Sequence, residues 1–137
     1  MRASRHKNVP EDVYPLDEWR LVEKRFDSQY LGAAESLFAI SNGYLGMRGT
    51  CDEGQPRVHS GTYVNGFHET WPIVYGEEAY GFAKEGQTII DVPDAKVIKL
   101  YVDDEPFYLP TATIDDFERV LDMQNGTLDR ELVWTHS

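Results

Sequence analysis

Short apolar runs separated by turn residues dominate the chain, and they predict β-strands. The segment 35–49, ESLFAISNGYLGMRG, carries apolar residues on both sides of Asn42-Gly43. Asn-Gly between apolar runs is the strongest local signal for a hairpin, because both residues tolerate the positive φ of a type I′ turn. We therefore predict a buried hairpin within this segment, entered through a bend at residues 32–35.

The same kind of alternation predicts strands along most of the chain. The segment 16–27 fits a strand and also fits helical spacing, and we prefer the strand because its surroundings are so strongly β. Further predicted strands cover residues 58–67, 88–92, 95–102, 107–109, 117–123 and 127–134. Seven or eight short strands without a convincing helix predict an all-β fold, in the form of an antiparallel β-sandwich.

Two segments do not alternate. Residues 1–15 contain Pro10 and Pro15, which predict an extended lead-in and place the sandwich domain at 16–137. Residues 68–87 have no clean period and predict a long loop, a kind of segment that is often functional. This loop concentrates aromatic residues, namely Trp71, Tyr75, Tyr80 and Phe82.

Composition narrows the classes of function. The 137 residues carry a formal net charge of −11, which argues against binding to nucleic acid or to an anionic membrane surface. The single cysteine, Cys51, rules out an intramolecular disulfide and a thiolate metal cluster. The basic first ten residues lack the apolar core of a secretory signal, and no run approaches the length of a membrane span. A cytoplasmic protein is predicted.

Few residues are candidates for catalysis or metal binding. His6 and His136 lack metal-ligand spacing, and His59 with His68-Glu69 is a poor set because adjacent strand residues point to opposite faces. We predict no metal site. Glu35 heads an apolar run, so it is either a carboxyl whose pKa is raised by burial or, as we favour, a structural group satisfied by Arg48 or backbone donors.

The aromatic loop has two interpretations. Trp71, Tyr75 and Tyr80 near acidic residues suit a sugar, because flat rings cover its apolar face while carboxylates accept hydroxyl donors. The predicted carbohydrate-lining residues are His68, Glu69, Trp71, Tyr75 and Tyr80. The other interpretation is that these rings simply pack beneath a long loop.

Several blocks together resemble one family. In order, they are WRLVEKRF, ESLFAISNGYLGMRG, GTYVNGFHETWP, VPDAKVIKLYVDDEPF and ERVLDMQNGTLDRELVW. They resemble the N-terminal domain of glycoside hydrolase family 65, which contains maltose, trehalose and kojibiose phosphorylases and some hydrolases. The segment 68–88 is most similar to the kojibiose and trehalose phosphorylase-like members.

The resemblance implies a β-supersandwich of the galactose mutarotase-like kind, followed in the family by an (α/α)6 barrel. That barrel carries the general-acid glutamate and the site for inorganic phosphate, the co-substrate of an inverting reaction that yields β-glucose 1-phosphate. None of those catalytic motifs matches this chain. The resemblance therefore implies an incomplete sandwich without catalytic residues or a cofactor of its own, whose partners are the barrel, a disaccharide and a second copy in a homodimer.

Three hypotheses follow for the chain. The leading one is a non-catalytic N-terminal domain that supports the barrel of an α-glucoside phosphorylase or hydrolase, shapes the entrance to its active site and helps it to dimerise. The second is a free-standing carbohydrate-binding module, and the third is a structural sandwich without a ligand. On the first hypothesis we expect the chain by itself to be inactive.

Overall fold

Short antiparallel strands form most of the regular structure in the computed structural model, which describes residues 10–135. The first half contains β1 (Arg20–Glu23), a 3-10 turn (Ser28–Tyr30), α1 (Leu31–Leu37), β2 (Ile40–Ser41), β3 (Leu45–Met47) and β4 (Thr62–Val64). The second half contains β5 (His68–Pro72), β6 (Glu85–Ile89), β7 (Tyr101–Val102), β8 (Glu105–Pro106), β9 (Thr113–Asp122) and β10 (Thr127–Thr135). All pairings are antiparallel, so the predicted all-β antiparallel fold is confirmed.

The main sheet has the order β1-β9-β10. The β9–β10 hairpin was predicted at 117–134 and is longer in the structure. Its turn is held by Asp122, whose Oδ1 accepts the backbone N–H groups of Gln124 and Asn125 at 2.9 Å each. The predicted strand at 16–27 is confirmed as a shorter strand, β1, which pairs with β9.

A short helix, α1, lies where the sequence predicted a bend and no helix. It follows a turn capped by Asp27, whose side chain accepts the N–H of Gln29. Its buried residues include Leu31 and Ala34, which lie three apart and therefore on one face. Leu31 belongs to the same buried cluster as Phe117 of β9, so apolar packing against the main sheet favours the helix over the bend.

The hairpin of β2 and β3 is confirmed, but the prediction that it is buried is wrong, because none of its strand residues is buried and residues 41–45 are exposed. Its turn is also not of type I′. Of the two turn residues, Asn42 and Gly43, only Gly43 has a positive φ, of 86°. Asn42 acts through its side chain, whose Oδ1 accepts the N–H groups of Tyr44 at 3.0 Å and Leu45 at 2.9 Å. A pair of positive φ values occurs instead at Asp103 and Asp104, in the predicted turn between β7 and β8.

The middle of the chain departs from the predicted pattern. The strand expected at 58–67 is limited to β4, which ends at a turn where the N–H of Phe67 is donated to the backbone oxygen of Val64 at 3.1 Å. The predicted loop at 68–87 begins in β5 and ends in β6. The strand expected at 88–92 lies earlier, as β6. The expected strand at 95–102 contributes only β7, and the return strand at 107–109 is replaced by β8.

Local hydrogen bonds explain why residues 95–100 do not form a strand. Asp94 accepts the N–H of Lys96 at 3.2 Å through Oδ1 and also contacts its ammonium group. The N–H of Ile98 is donated to the backbone oxygen of Asp52 at 2.7 Å. These bonds tie the segment to a loop, so its alternating side chains do not reflect strand pairing.

The core consists of two apolar clusters next to the main sheet. One contains Val13, Tyr14, Ala34 and Phe38, and the other contains Leu31, Cys51, Leu109 and Phe117. In place of the extended lead-in, residues 10–14 form a turn in which Pro10 accepts the N–H groups of Val13 and Tyr14. Residues 1–9 of the predicted lead-in lie outside the described part. Within the described part, no helix has the length and apolar character that crossing a membrane requires.

Candidate functional site

The predicted sugar-lining residues lie on a β-hairpin arm, which we define as residues 68–89. Every residue of β5 is exposed, including His68, Glu69 and Trp71. Glu69 and Trp71 are two apart and lie on one face of the arm, whereas His68 lies on the other. The structure therefore separates His68 from the face that the other two share.

Trp71 is held in place by the strand opposite. It pairs with Gly86 in β6, and a Cβ atom at Gly86 would lie 2.4 Å from the indole ring. The ring thus covers the glycine while 47% of the residue stays exposed. A rigid, half-exposed indole of this kind is suited to stacking on a flat apolar ligand face.

The other two aromatic candidates lie in the connection between β5 and β6. Tyr75 packs against Phe82, with 4.9 Å between ring centroids, whereas Tyr80 is fully exposed. Within residues 10–135, no ring pair joins Trp71 or Tyr80 to another aromatic ring. The arm carries all three rings, but it does not assemble them into one continuous platform.

Three hydrogen bonds fix the base of the arm to the body. Asp91 accepts the N–H of Thr62 at 2.7 Å and the hydroxyl of Ser60 at 3.2 Å. The N–H of Val92 is donated to the backbone oxygen of Thr62 at 2.8 Å. The arm is therefore anchored at its base and exposed along its length.

Glu35 has a structural role, in agreement with the interpretation that we favoured. The residue is 0% exposed, and its carboxylate accepts the N–H groups of Val58 at 2.7 Å and His59 at 2.9 Å. The Arg48 guanidinium lies 3.8 Å from the second oxygen. Both carboxylate oxygens are occupied by protein donors and are turned away from solvent.

The structure contains a buried polar network around Arg119 and Glu23 that the sequence did not predict. Arg119 on β9 donates to Glu23 on β1 at 2.6 Å and to the backbone oxygen of Gly49 at 2.8 Å, while its guanidinium carbon lies 4.2 Å from the ring centre of Phe38. The hydroxyl of Tyr14 donates to the other oxygen of Glu23 at 2.9 Å. Burial, followed by the neighbouring Glu23 charge, raises the pKa of the Tyr14 phenol.

A second ion-pair cluster lies near Cys51. Arg130 donates to both oxygens of Glu53, at 3.1 and 2.5 Å, and lies 3.3 Å from Asp52. Burial raises the pKa of the Cys51 thiol to about 11, against a smaller lowering by Arg119 and Arg130. A thiol with so high a pKa is protonated at neutral pH and is a poor nucleophile.

The described residues offer no arrangement for metal chemistry. No group of three or more histidine, cysteine, aspartate or glutamate side chains in residues 10–135 could hold a metal ion. His59 uses its backbone N–H on Glu35, and His68 lies on the exposed arm. His6 and His136 lie outside the described residues.

Comparison with known proteins identifies similar sequences and a similar structure. The family model for the N-terminal domain of glycosyl hydrolase family 65 matches residues 21–137. The chain is 47% identical to the α,α-trehalose phosphorylase of Thermoanaerobacter brockii over 126 residues, which is 89% of this chain and 16% of that protein. It is 44% identical to an uncharacterised glycosyl hydrolase of Mycobacterium leprae, covering 92% of this chain and 16% of that protein.

A solved structure is also similar. A putative kojibiose phosphorylase from the human microbiome superposes with a TM-score of 0.77 and 28% sequence identity, covering 94% of this chain and 17% of that one. The chain therefore spans about 16% of the length of the curated relatives named above. What it shares with them is one portion of much longer proteins.

Proposed function

The chain belongs to glycosyl hydrolase family 65 as its N-terminal domain, and on that premise we propose that it serves a longer disaccharide phosphorylase or hydrolase as a non-catalytic domain. The observation that carries this proposal is the match over residues 21–137, together with 47% identity to a trehalose phosphorylase. In the longer protein the chain forms part of a β-supersandwich that supports an (α/α)6 catalytic barrel.

The interior of the domain supports a non-catalytic role. Its buried carboxylates already have partners within the fold, since Glu35 accepts two backbone N–H groups and Glu23 accepts from Tyr14 and Arg119. A general acid must instead face the glycosidic oxygen that it protonates. The chemistry therefore belongs to the barrel, and the isolated chain is inactive.

The proposed reaction is an inverting transfer of a glucosyl group to inorganic phosphate. A carboxylic acid of the barrel protonates the glycosidic oxygen while phosphate attacks the anomeric carbon from the opposite face, and the products are β-glucose 1-phosphate and the released sugar. Similar proteins are named trehalose, kojibiose and maltose phosphorylases, which makes these disaccharides the proposed substrates. Water in place of phosphate gives the hydrolase alternative.

The arm supplies the proposed contact with sugar. Trp71 presents a half-exposed indole, and Tyr75, Tyr80, His68 and Glu69 add ring faces and hydrogen-bonding groups along the same hairpin. Projecting from a base fixed by Asp91, the arm forms one wall of the active-site entrance. Its exposed rings supply orientation and contact area there, and the barrel supplies the reacting groups.

The longer protein is proposed to be a cytoplasmic homodimer. Exposed apolar side chains on the arm, such as Val74 and Phe82, support association, because patches of this kind commonly lie in protein interfaces. Light scattering of the longer protein tests this part of the proposal, and a monomer at micromolar concentration would refute it.

A chimera tests the proposed function. The region of the T. brockii trehalose phosphorylase that matches this chain is replaced by the chain, and release of β-glucose 1-phosphate from trehalose and phosphate is measured. We expect activity within about tenfold of the parent enzyme, and none from the isolated chain. A folded chimera without activity, or product formed by the isolated chain, would overturn the proposal.

A free-standing carbohydrate-binding module is the second candidate, and the exposed Trp71 ring favours it. It predicts that millimolar trehalose, kojibiose or maltose changes the tryptophan fluorescence of the isolated chain. The Trp71→Phe variant should abolish that change, whereas Trp19→Phe should leave it intact. An unchanged spectrum of the isolated chain beside an active chimera selects the first candidate.

A further inference from the structure

Three asparagines of the chain precede a glycine, namely Asn42, Asn65 and Asn125. This sequence favours deamidation, because a glycine has no side chain to keep its backbone nitrogen from the amide carbon of the asparagine before it. All three pairs are exposed to solvent, so access to water does not distinguish them. Hydrogen bonding does distinguish them, since the side-chain amide and the glycine nitrogen must both move for the attack to occur.

Two of the three pairs are restrained by hydrogen bonds. In the β9–β10 turn, Gly126 donates its N–H to the backbone oxygen of Asp122 at 2.8 Å, and the side-chain amide of Asn125 donates to Oδ2 of Asp122 at 2.8 Å. In the β2–β3 turn, Oδ1 of Asn42 accepts two backbone N–H groups, at 3.0 and 2.9 Å. Deamidation at either position must first break two hydrogen bonds, which raises its barrier.

The third pair, Asn65-Gly66, lacks both kinds of restraint. Within residues 10–135, the side-chain hydrogen bonds of asparagine belong to Asn42 and Asn125, and the N–H of Gly66 is not donated to another backbone oxygen. The two groups that react at Asn65 are therefore free of bonds that the attack would have to break.

The surroundings of Asn65 also leave space for the attack. The residue lines an open groove of about 330 Å³ together with Tyr63 and Ile89, so its side chain has room to turn towards the nitrogen of Gly66. Its backbone N–H is donated to the backbone oxygen of Tyr44 at 2.8 Å. That bond holds the main chain in place but takes no part in the reaction.

We propose that Asn65 is the preferred site of spontaneous deamidation in this chain, with water as the only co-reactant. The backbone nitrogen of Gly66 bonds to the side-chain carbonyl carbon of Asn65. The bond from that carbon to the amide nitrogen breaks, and ammonia leaves with the proton of the Gly66 N–H. Water then opens the five-membered succinimide at one of its two ring C–N bonds. One opening gives aspartate, and the other gives isoaspartate, in which the main chain runs through the former side chain.

Isoaspartate at this position alters the base of the arm. Residues 64–67 form the turn between β4 and β5, in which the N–H of Phe67 is donated to the backbone oxygen of Val64 at 3.1 Å. The N–H of Ile90 is donated in turn to the backbone oxygen of Phe67 at 3.2 Å. Isoaspartate adds one carbon to the main chain of the turn and a carboxylate to a chain of net charge −11, so both bonds are weakened. With age the chain thus acquires a second form of the arm.

Peptide mapping by mass spectrometry tests the preferred site. The folded chain, verified by circular dichroism, is incubated in a mildly alkaline buffer beside a sample in urea, where the hydrogen bonds of all three pairs are lost. In the folded chain we expect Asn65 to deamidate at least about tenfold faster than Asn42 or Asn125, and in urea we expect similar rates. A rate at Asn65 in the folded chain that does not exceed the other two would overturn the proposal.

Two variants sharpen this test. Asp122→Ala removes the carboxylate that holds the Asn125 amide, so it should accelerate deamidation at Asn125 and leave the rate at Asn65 unchanged. Asn65→Gln is the matched control, because its longer side chain closes a six-membered ring much less readily. Loss of ammonia from residue 65 at the same rate in this variant would contradict the succinimide route.

Hydrogen exchange measures the effect on the arm. We expect the amides of Phe67 and Ile90 to exchange at least about threefold faster in aged protein that contains isoaspartate than in equally aged Asn65→Gln. Freshly prepared Asn65→Asp carries the charge without the added carbon, and its exchange should stay closer to that of the control. Equal exchange in the isoaspartate form and in Asn65→Gln would overturn the proposed change at the base of the arm.

Discussion

Arg119 and Glu23 lie on neighbouring strands and form an ion pair that is sealed inside the fold. Their charged atoms are 2.6 Å apart, and both side chains are almost fully buried. The pair also connects distant parts of the chain, since Arg119 donates to Gly49 and Glu23 accepts from Tyr14. Removing one partner leaves an uncompensated charge in a site without access to water.

We expect Arg119→Met to destabilise the domain by about 3–5 kcal/mol, because Glu23 then remains buried without its counter-charge. The double variant Arg119→Met with Glu23→Gln should recover a large part of the loss. Urea unfolding followed by circular dichroism measures both. A single variant that costs less than about 1 kcal/mol would show that Glu23 is hydrated or has another partner.

Tyr14 makes stability depend on alkaline pH. Its pKa is raised in the folded state, mainly by burial and then by Glu23, so above the ordinary tyrosine pKa the folded protein keeps a proton that the unfolded chain loses. Stability is therefore fully present below about pH 10 and falls as the pH rises further. We expect Tyr14→Phe to be less stable at pH 7, having lost its bond to Glu23, and to lose stability less steeply above pH 10.

Unfolding curves of both proteins between pH 7 and 11 measure this difference. Cys51 also makes the protein less stable in this range, because burial raises the pKa of its thiol to about 11 and the unfolded chain loses that proton at lower pH. This effect is the same in both proteins. The difference between them therefore isolates Tyr14. Parallel slopes above pH 10 would contradict the assignment.

Glu35 should behave as a structural residue. Glu35→Gln keeps one acceptor oxygen for the two N–H groups of Val58 and His59, so we expect a loss of about 1–3 kcal/mol in the free energy of unfolding. Glu77→Gln, on the exposed connection of the arm, is the matched control and should change stability by less than about 0.5 kcal/mol.

The chimera separates structure from catalysis at this position. Glu35→Gln should lower its melting temperature and leave kcat for trehalose phosphorolysis unchanged. A fall in kcat of about a hundredfold at unchanged stability would mean that Glu35 takes part in proton transfer.

The Cys51 thiol should resist alkylation in the native protein. It is buried and has a pKa of about 11, so very little thiolate exists at pH 8. We expect iodoacetamide to react at least about tenfold more slowly with the folded chain than with the chain in urea. Equal rates would contradict the burial of this residue.

The sequence predicted those elements whose signals are local. The β9–β10 hairpin combines alternating strands with a turn, and the structure lengthens the predicted hairpin and shows that Asp122 closes its turn. Helix α1 was missed because its one apolar turn continues into the apolar residues of β2, so that the two together look like one strand. The Asn-Gly pair predicts a type I′ turn, in which both residues have a positive φ. In the structure the Asn42 side chain instead accepts the N–H groups of Tyr44 and Leu45.

The candidate site was predicted only in part. Aromatic composition identified the residues of the arm, but it did not reveal β5 and β6, because the two strands are short and are joined by a connection of irregular sequence between Pro72 and Glu85. The buried ion pair joins residues that are 96 positions apart. No local pattern contains such a contact, and only the strand register of β1 with β9 brings Glu23 opposite Arg119.

The anchored base of the arm separates two kinds of evolutionary change. Asp91 and Thr62 fasten the hairpin to the body, whereas the residues of β5 and the connection after it contribute nothing to the buried core. Substitutions, insertions or deletions towards the tip therefore alter which surface the protein presents without altering how it folds. Natural selection can therefore change the surface of the arm, where we propose the contact with sugar, while the scaffold that carries it stays constant.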